Sequence, residues 1–160
     1  MQTNMESSNK NVKNLFMIWV LTDSKYGVLQ YADNKKVIQD VADAIIRDMV
    51  SPVSVQEWEE LRNNADNAVY SVVSGAYIFS WCIAAYSAAA NAAYSFAASY
   101  SDSYTFTPNG NSVVYITYNF NPANSSAVGA SAFAFEAATI KYGYFIAASK
   151  KLIELLGEAN

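Results

Sequence analysis

No charged side chain occurs from Asn67 to Ser101, a stretch that is rich in alanine and contains no proline. Alanine has the highest helix propensity, so the stretch is predicted to be helical, with Gly75 as its weak point. With the residues before it, we expect one long helix, built of two collinear or kinked pieces. A helix without a charged face is usually buried on all sides, so this helix is predicted to lie at the centre of the fold.

The start of this helix is the most clearly specified position in the chain. Ser54 and Glu57 have the spacing of a capping box, and Val53 and Trp58 occupy the two positions of a hydrophobic staple. Pro52 disfavours helix in the residue before it. The sequence therefore predicts that one helix ends near residue 50 and that the next begins at Ser54.

Three further helices follow from the spacing of apolar residues. They are predicted at residues 11–21, from about 34 to 50, and from about 127 to 156. The last is again rich in alanine and is expected to pack antiparallel to the central long helix. Residues 1–9 are polar, which predicts a disordered tail.

The residues between the two long helices have a different character. β-Branched and aromatic residues flank Asn109-Gly110, which predicts a β-hairpin over about 104–120 within an insertion of residues 102–126. The hairpin has more aromatic side chains than two short strands need. An isolated hairpin is also only marginally stable, so it must pack against something. We therefore expect it to contact a partner protein through Tyr104, Phe106, Tyr115, Tyr118 and Phe120.

Together these elements predict a mainly α fold in one domain, residues 1–160. The expected architecture is a bundle of about four to five helices, with two long Ala-rich antiparallel helices and the inserted β-hairpin.

The composition argues against several classes of function. Histidine is absent and Cys82 is the only cysteine, which removes the commonest general base and the commonest metal-ligand sets. We expect no catalytic residues, no metal site and no cofactor. No Lys or Arg lies between Asn63 and Ile140, so direct binding to nucleic acid is not expected.

A few carboxylates are candidates for a functional site. Glu136 lies in an apolar helical context, so burial would raise its pKa and a ligand pocket could form there. This supports an alternative in which Glu136 and tyrosine hydroxyls line an interhelical pocket of an enzyme or small-ligand binder. Two pairs at one-turn spacing, Asp40 with Asp43 and Glu57 with Glu60, are interpreted as surface and helix-start charges.

Low charge content bears on assembly and location. Only 15% of the residues are charged, so we expect an apolar surface that is covered by a partner protein or by self-association. Of these we expect the chain to form a homo-oligomer. The polar start does not have the form of a signal peptide, and a cytoplasmic location is expected. A membrane-embedded helical hairpin remains as a further alternative, because the uncharged stretch is long enough to span a bilayer.

Three segments resemble a family of predicted all-helical bacterial immunity proteins of polymorphic toxin systems: KKVIQDVADAIIRDMV, SPVSVQEWEELRNNADNAVYS and AAYSAAANAAYSFAAS. The same segments also resemble the Ala-, Tyr- and Ser-rich helices of small phage proteins. The resemblance implies a non-enzymatic inhibitor that binds another protein, such as a toxin immunity protein or a phage anti-defence protein comparable to an anti-CRISPR. It implies no particular binding residue in this sequence.

Overall fold

The computed structural model describes residues 2–74, 80–100 and 144–158 of the 160-residue chain. All regular elements within these ranges are helices. They are α1 (Gln2–Thr22), a 3-10 helix (Val28–Tyr31), α2 (Lys35–Asp48), α3 (Val55–Ser74), α4 (Ser80–Ser99) and α5 (Tyr144–Glu158).

The predicted bundle of helices agrees with this architecture, whereas the prediction of an inserted β-hairpin is wrong. The structure is all-helical, and neither a strand nor a sheet occurs in the described ranges. The hairpin was inferred from β-branched and aromatic residues, and β propensity of this kind depends strongly on tertiary context. Residues 104–120 themselves lie outside the described residues.

The central uncharged stretch does not form one continuous long helix. It is divided between α3 and α4, which have the most extensive contact of any two helices in the described structure. The rings of Trp58 and Phe96 stack with their centroids 4.8 Å apart, and Arg62 lies 5.7 Å from the ring centre of Tyr94. Early residues of α3 thus meet late residues of α4, so the two helices are antiparallel.

Packing of α4 back against α3 is favoured because it buries apolar surface that a single long helix would expose. The buried side of α3 includes Leu61, Ala65 and Val69. In α4, alanines are buried around most of the circumference, at positions 84, 85, 88, 89, 90, 92, 93 and 97. The prediction of a central helix is therefore confirmed for α4, which contacts α1, α2, α3 and the 3-10 helix.

Helix α1 begins at Gln2 and so includes residues that were expected to be a disordered tail. No proline or glycine occurs in residues 2–22, so nothing in the sequence interrupts the helix. Beyond its end, the Asp23 carboxylate accepts hydrogen bonds from the backbone N–H groups of Lys25 and Tyr26 at 2.9 and 2.8 Å. The chain then returns so closely that a Cβ at position 27 would lie 2.3 Å from the Asp23 nitrogen, which explains glycine there.

The last helix packs against the first. Ala148 and Leu155 of α5 are buried, and α5 contacts α1. The second long helix was expected to start near residue 127, but residues 127–143 lie outside the described part of the chain. Its expected packing against the central helix is replaced, over residues 144–158, by packing against α1.

The start of α3 follows the prediction from sequence in part. The Glu57 backbone N–H donates to the Ser54 hydroxyl at 3.2 Å, as in a capping box. The Glu57 carboxylate instead pairs with the Arg47 guanidinium at 2.5 Å, which links α2 to α3. Val53 and Trp58 are both buried in the main core, as a hydrophobic staple requires.

The corner between α2 and α3 is fixed by a buried carboxylate. Asp48 is only 3% exposed, and its Oδ1 accepts hydrogen bonds from the Tyr100 hydroxyl at 2.6 Å and the Val53 N–H at 3.1 Å. One side chain thereby joins the end of α2, the segment before α3 and the end of α4.

Replacing Ser54 with alanine is expected to lower the free energy of unfolding by about 1 kcal/mol, because the Glu57 N–H loses its cap. Urea denaturation followed by circular dichroism measures this loss. Ser51→Ala is a suitable control, since Ser51 is exposed and precedes the cap. Equal stability of the two variants would show that the cap contributes nothing.

Asp48→Ala is expected to lower the free energy of unfolding by about 2–3 kcal/mol, because it removes hydrogen bonds to a buried charged group. The matched control is Asp43→Ala on the exposed side of the same helix, where the carboxylate accepts a hydrogen bond from Gln39 at 2.8 Å. The same denaturation experiment compares them. A loss at Asp48 no larger than that at Asp43 would contradict the role assigned to this residue.

Candidate functional site

A cleft lies between α2 and α3. The two helices are joined at the Asp48 corner and by the pair Arg47–Glu57, and the cleft lies toward their other ends. Its volume is about 360 Å³, within the roughly 300–1,000 Å³ typical of binding sites. It is lined by Asn34, Lys36, Val37, Asp40, Leu61, Asn64, Asn67, Ala68 and Ser71.

The lining residues share faces of the two helices because of their spacing. On α3, residues 61, 64, 68 and 71 follow one another at intervals of three and four, which places them on one side of the helix. Val37, Leu61 and Ala68 give the cleft apolar surface, while Asn64 and Asn67 are exposed. The cleft thus combines a small apolar area with polar groups that solvent can reach.

Carboxamides dominate the polar part of the cleft. Asn34, Asn64 and Asn67 each offer two N–H donors and one oxygen acceptor. The Ser71 hydroxyl donates to the main-chain carbonyl oxygen of Asn67 at 3.0 Å. These groups can form hydrogen bonds with both donors and acceptors of a ligand, and they carry no net charge.

The charged groups of the cleft neutralise one another. Lys36 Nζ lies 2.7 Å from both carboxylate oxygens of Asp40, and the two side chains are 77% and 38% exposed. Exposed pairs of this kind contribute little to stability, so their bond can rearrange around a ligand at low cost. The cleft consequently has no strong preference for an anion or a cation.

A tyrosine of α4 fixes the position of Asn34 at the start of α2. The Tyr86 hydroxyl accepts a hydrogen bond from the Asn34 N–H at 2.8 Å and donates one to the Asp33 carboxylate. Burial raises the pKa of Tyr86, and its bond to Asp33 raises it further. The bond from Tyr86 lowers the pKa of Asp33, with a smaller contribution from the Asn34 N–H. We call Asp33, Asn34 and Tyr86 the tyrosine clamp.

The single cysteine, Cys82, lies beside the tyrosine clamp, and its thiol forms a hydrogen bond within the protein. Its thiol donates to the Tyr31 carbonyl oxygen at 2.8 Å. Burial raises the pKa of Cys82, and the negative charge of Asp33 adds to the effect. Because the thiolate is the nucleophilic form, these surroundings favour an unreactive thiol.

Of the residues that sequence analysis singled out, Asp40 lines this cleft. Tyr104, Phe106, Tyr115, Tyr118, Phe120 and Glu136 all lie outside the described residues. Of the two carboxylate pairs, Asp40 bonds to Lys36, Asp43 to Gln39, and Glu57 to Arg47. These contacts agree with the interpretation of those residues as surface and helix-start charges.

The asparagines of α3 were not identified from the sequence, although a signal is present. Asn63, Asn64 and Asn67 occur close together inside a helix. Asparagine is a poor helix former, because its side chain competes for backbone hydrogen bonds. Such a cluster on one helix is therefore a reason to look for a polar site.

No protein-family model matches this sequence, and neither a curated protein nor a solved structure similar to it was found. Within the described residues, no helix has both the length and the apolar character needed to cross a membrane. The same residues include no group of three thiol or carboxylate side chains placed to hold a metal ion.

The tyrosine clamp predicts a specific pH dependence, tested with Tyr86→Phe. At neutral pH the variant is expected to be about 1 kcal/mol less stable than the wild type, because it loses the bonds to Asp33 and Asn34. The folded pKa of Asp33 lies below its unfolded value of about 4, so the contribution of its charge is fully present above that pH. It is lost as the pH falls through the lower folded value.

At alkaline pH the dependence runs in the opposite direction, because the stabilising contribution of Tyr86 is lost as the pH rises. The folded pKa of Tyr86 lies above the unfolded value of about 10, so its contribution is present below that pH and is lost as the pH rises further. Urea denaturation across pH measures both limbs, with Tyr70→Phe as an exposed control. A wild-type advantage over Tyr86→Phe that stayed constant at both extremes would rule out this linkage.

Proposed function

We propose that this chain is a non-enzymatic protein-binding inhibitor, and that the cleft between α2 and α3 contacts its target. The observation that supports this most is the carboxamide-rich lining of the cleft, which has no net charge and is held on two helices. Sites on helices are positioned more rigidly than sites on loops, which reduces the entropy lost on binding.

The chemistry of the lining suits a polypeptide segment. A peptide group presents one N–H donor and one carbonyl acceptor, and a carboxamide can bond to both. The apolar area formed by Val37, Leu61 and Ala68 would receive one small apolar side chain of the target. An extended segment or loop of another protein is the ligand that fits these two features together.

The described residues support binding more strongly than catalysis. The groups with reactive potential near the cleft are engaged in internal hydrogen bonds: Cys82 with Tyr31, and Tyr86 with Asp33. The pKa of each is raised, which favours the less nucleophilic protonated form. A general base with a pKa near neutrality would need different surroundings.

The biological setting of the proposal comes from the resemblance of three sequence segments to bacterial immunity proteins and to helical phage proteins. In either setting the chain would neutralise a toxin or a defence protein by covering part of its surface. Contacts made through the cleft by Asn64 and Asn67 would then decide which target is bound.

The test is a double substitution, Asn64→Ala with Asn67→Ala. It removes two carboxamides from the cleft, and the better helix propensity of alanine should maintain or raise the stability of α3. Loss of about two hydrogen bonds is expected to weaken target binding by about tenfold to a hundredfold. The measurement is affinity capture from the source cells, followed by titration calorimetry with the captured protein.

Asn63→Ala is the matched control, because Asn63 is an exposed asparagine of α3 that does not line the cleft. The proposal expects one target to be retained by the wild type and this control and lost by the double variant. If all three proteins bound the same target with equal affinity, the cleft would not be the binding site.

A further inference from the structure

Helix α5 leaves much of its apolar surface uncovered. Its buried side, at Ala148 and Leu155, faces the bundle. Next to this buried side, α5 carries four large apolar residues that are partly exposed to solvent. Their exposed fractions are 63% for Ile146, 38% for Leu152, 69% for Ile153 and 44% for Leu156. With Ser149, they occupy one continuous side of the helix, which we call the α5 face. Several exposed large apolar residues on one helix are typical of an interaction surface.

The residues of the α5 face are arranged so that the face complements itself in an antiparallel pair. A two-fold axis that passes between Leu152 and Ile153 brings Leu152 beside the Leu152, and Ile153 beside the Ile153, of the second copy. The same operation places the small side chain of Ser149 opposite the large Leu156 of the second copy. A small side chain thus meets a large one on either side of the central contacts, which favours close packing.

The charges beside the face show the same complementarity. Lys150 and Glu154 lie one turn apart along the exposed edge of the α5 face. Glu154 forms an ion pair with Lys151 of its own helix at 2.7 Å. The antiparallel pair would bring Lys150 of the other copy close to the same carboxylate, so opposite charges would meet along one edge of the contact. A parallel pair would instead place Lys150 near Lys150 and Glu154 near Glu154, which is unfavourable.

We infer that the α5 face binds a second copy of this chain as an antiparallel, two-fold symmetric helix pair. A two-fold interface uses the same surface on both copies, and this face meets that condition in its size pattern and in its charges. The 15-residue helix offers a small contact, so the pair is expected to dissociate in roughly the micromolar range. The inference uses none of the cleft residues and is independent of the proposed function.

The first measurement is sedimentation equilibrium of the full chain with Ile153→Ser. This substitution is expected to weaken self-association by about a hundredfold, because the changed side chain occurs twice in a symmetric pair. The control is Ile46→Ser, since Ile46 is also exposed, at 49%, but lies on α2. A wild type that stays monomeric at high micromolar concentration, or equal weakening by both variants, would overturn the inference.

The second measurement tests orientation by disulfide formation between copies. In the antiparallel pair, cysteines at position 152 of the two copies are offset by only about 2 Å along the helix axis, whereas those at position 146 are about 20 Å apart. The native Cys82 is buried and does not interfere. Leu152→Cys is therefore expected to cross-link under mild oxidation and Ile146→Cys is not. Equal cross-linking of both variants would indicate a parallel pair and contradict the proposed arrangement.

Discussion

The antiparallel packing of α3 and α4 is the contact on which the described structure depends. Alanine side chains on α4 allow neighbouring helices to approach closely, but each alanine buries little apolar area. The large side chains therefore contribute most of the hydrophobic stabilisation, and Trp58, Tyr86 and Phe96 are the largest of those that are fully buried. The stacked pair Trp58 and Phe96 connects the start of α3 to the end of α4, and the Lys13 ammonium lies 4.7 Å from the centre of the Phe96 ring.

A core made largely of alanine also affects how precisely the helices are aligned along one another. Small, similar side chains fit several relative positions of two helices almost equally well, so apolar packing alone specifies register weakly. Polar contacts supply the missing specificity at both ends of α2. Asp48 joins its end to Tyr100 and Val53, and the tyrosine clamp joins its start to α4. These bonds have strict geometry, so a shift of one helix along another would break them.

Local features of the structure could be predicted from the sequence, and the relation between distant segments could not. The Ser54 cap and the burial of α4 follow from signals within a few residues of each position. The reversal between α3 and α4 does not, because the same alternation of Ala, Val and Tyr suits one long helix or two packed helices. The site was missed for a related reason: Asn64 becomes part of a cleft only when α2 lies beside α3, and that contact is tertiary.

The α5 face and the cleft use different helices, and this separation has a functional consequence. Self-pairing through α5 involves residues 146–156, whereas the cleft is lined by residues of α2, α3 and the segment before α2. Because the two sets of residues do not overlap, the proposed pair would carry two copies of the cleft. A target that is itself a dimer, or that repeats along a surface, would be held by both sites at once. The second contact would then form at a high effective concentration, so weak binding by one cleft would become tight binding by the pair.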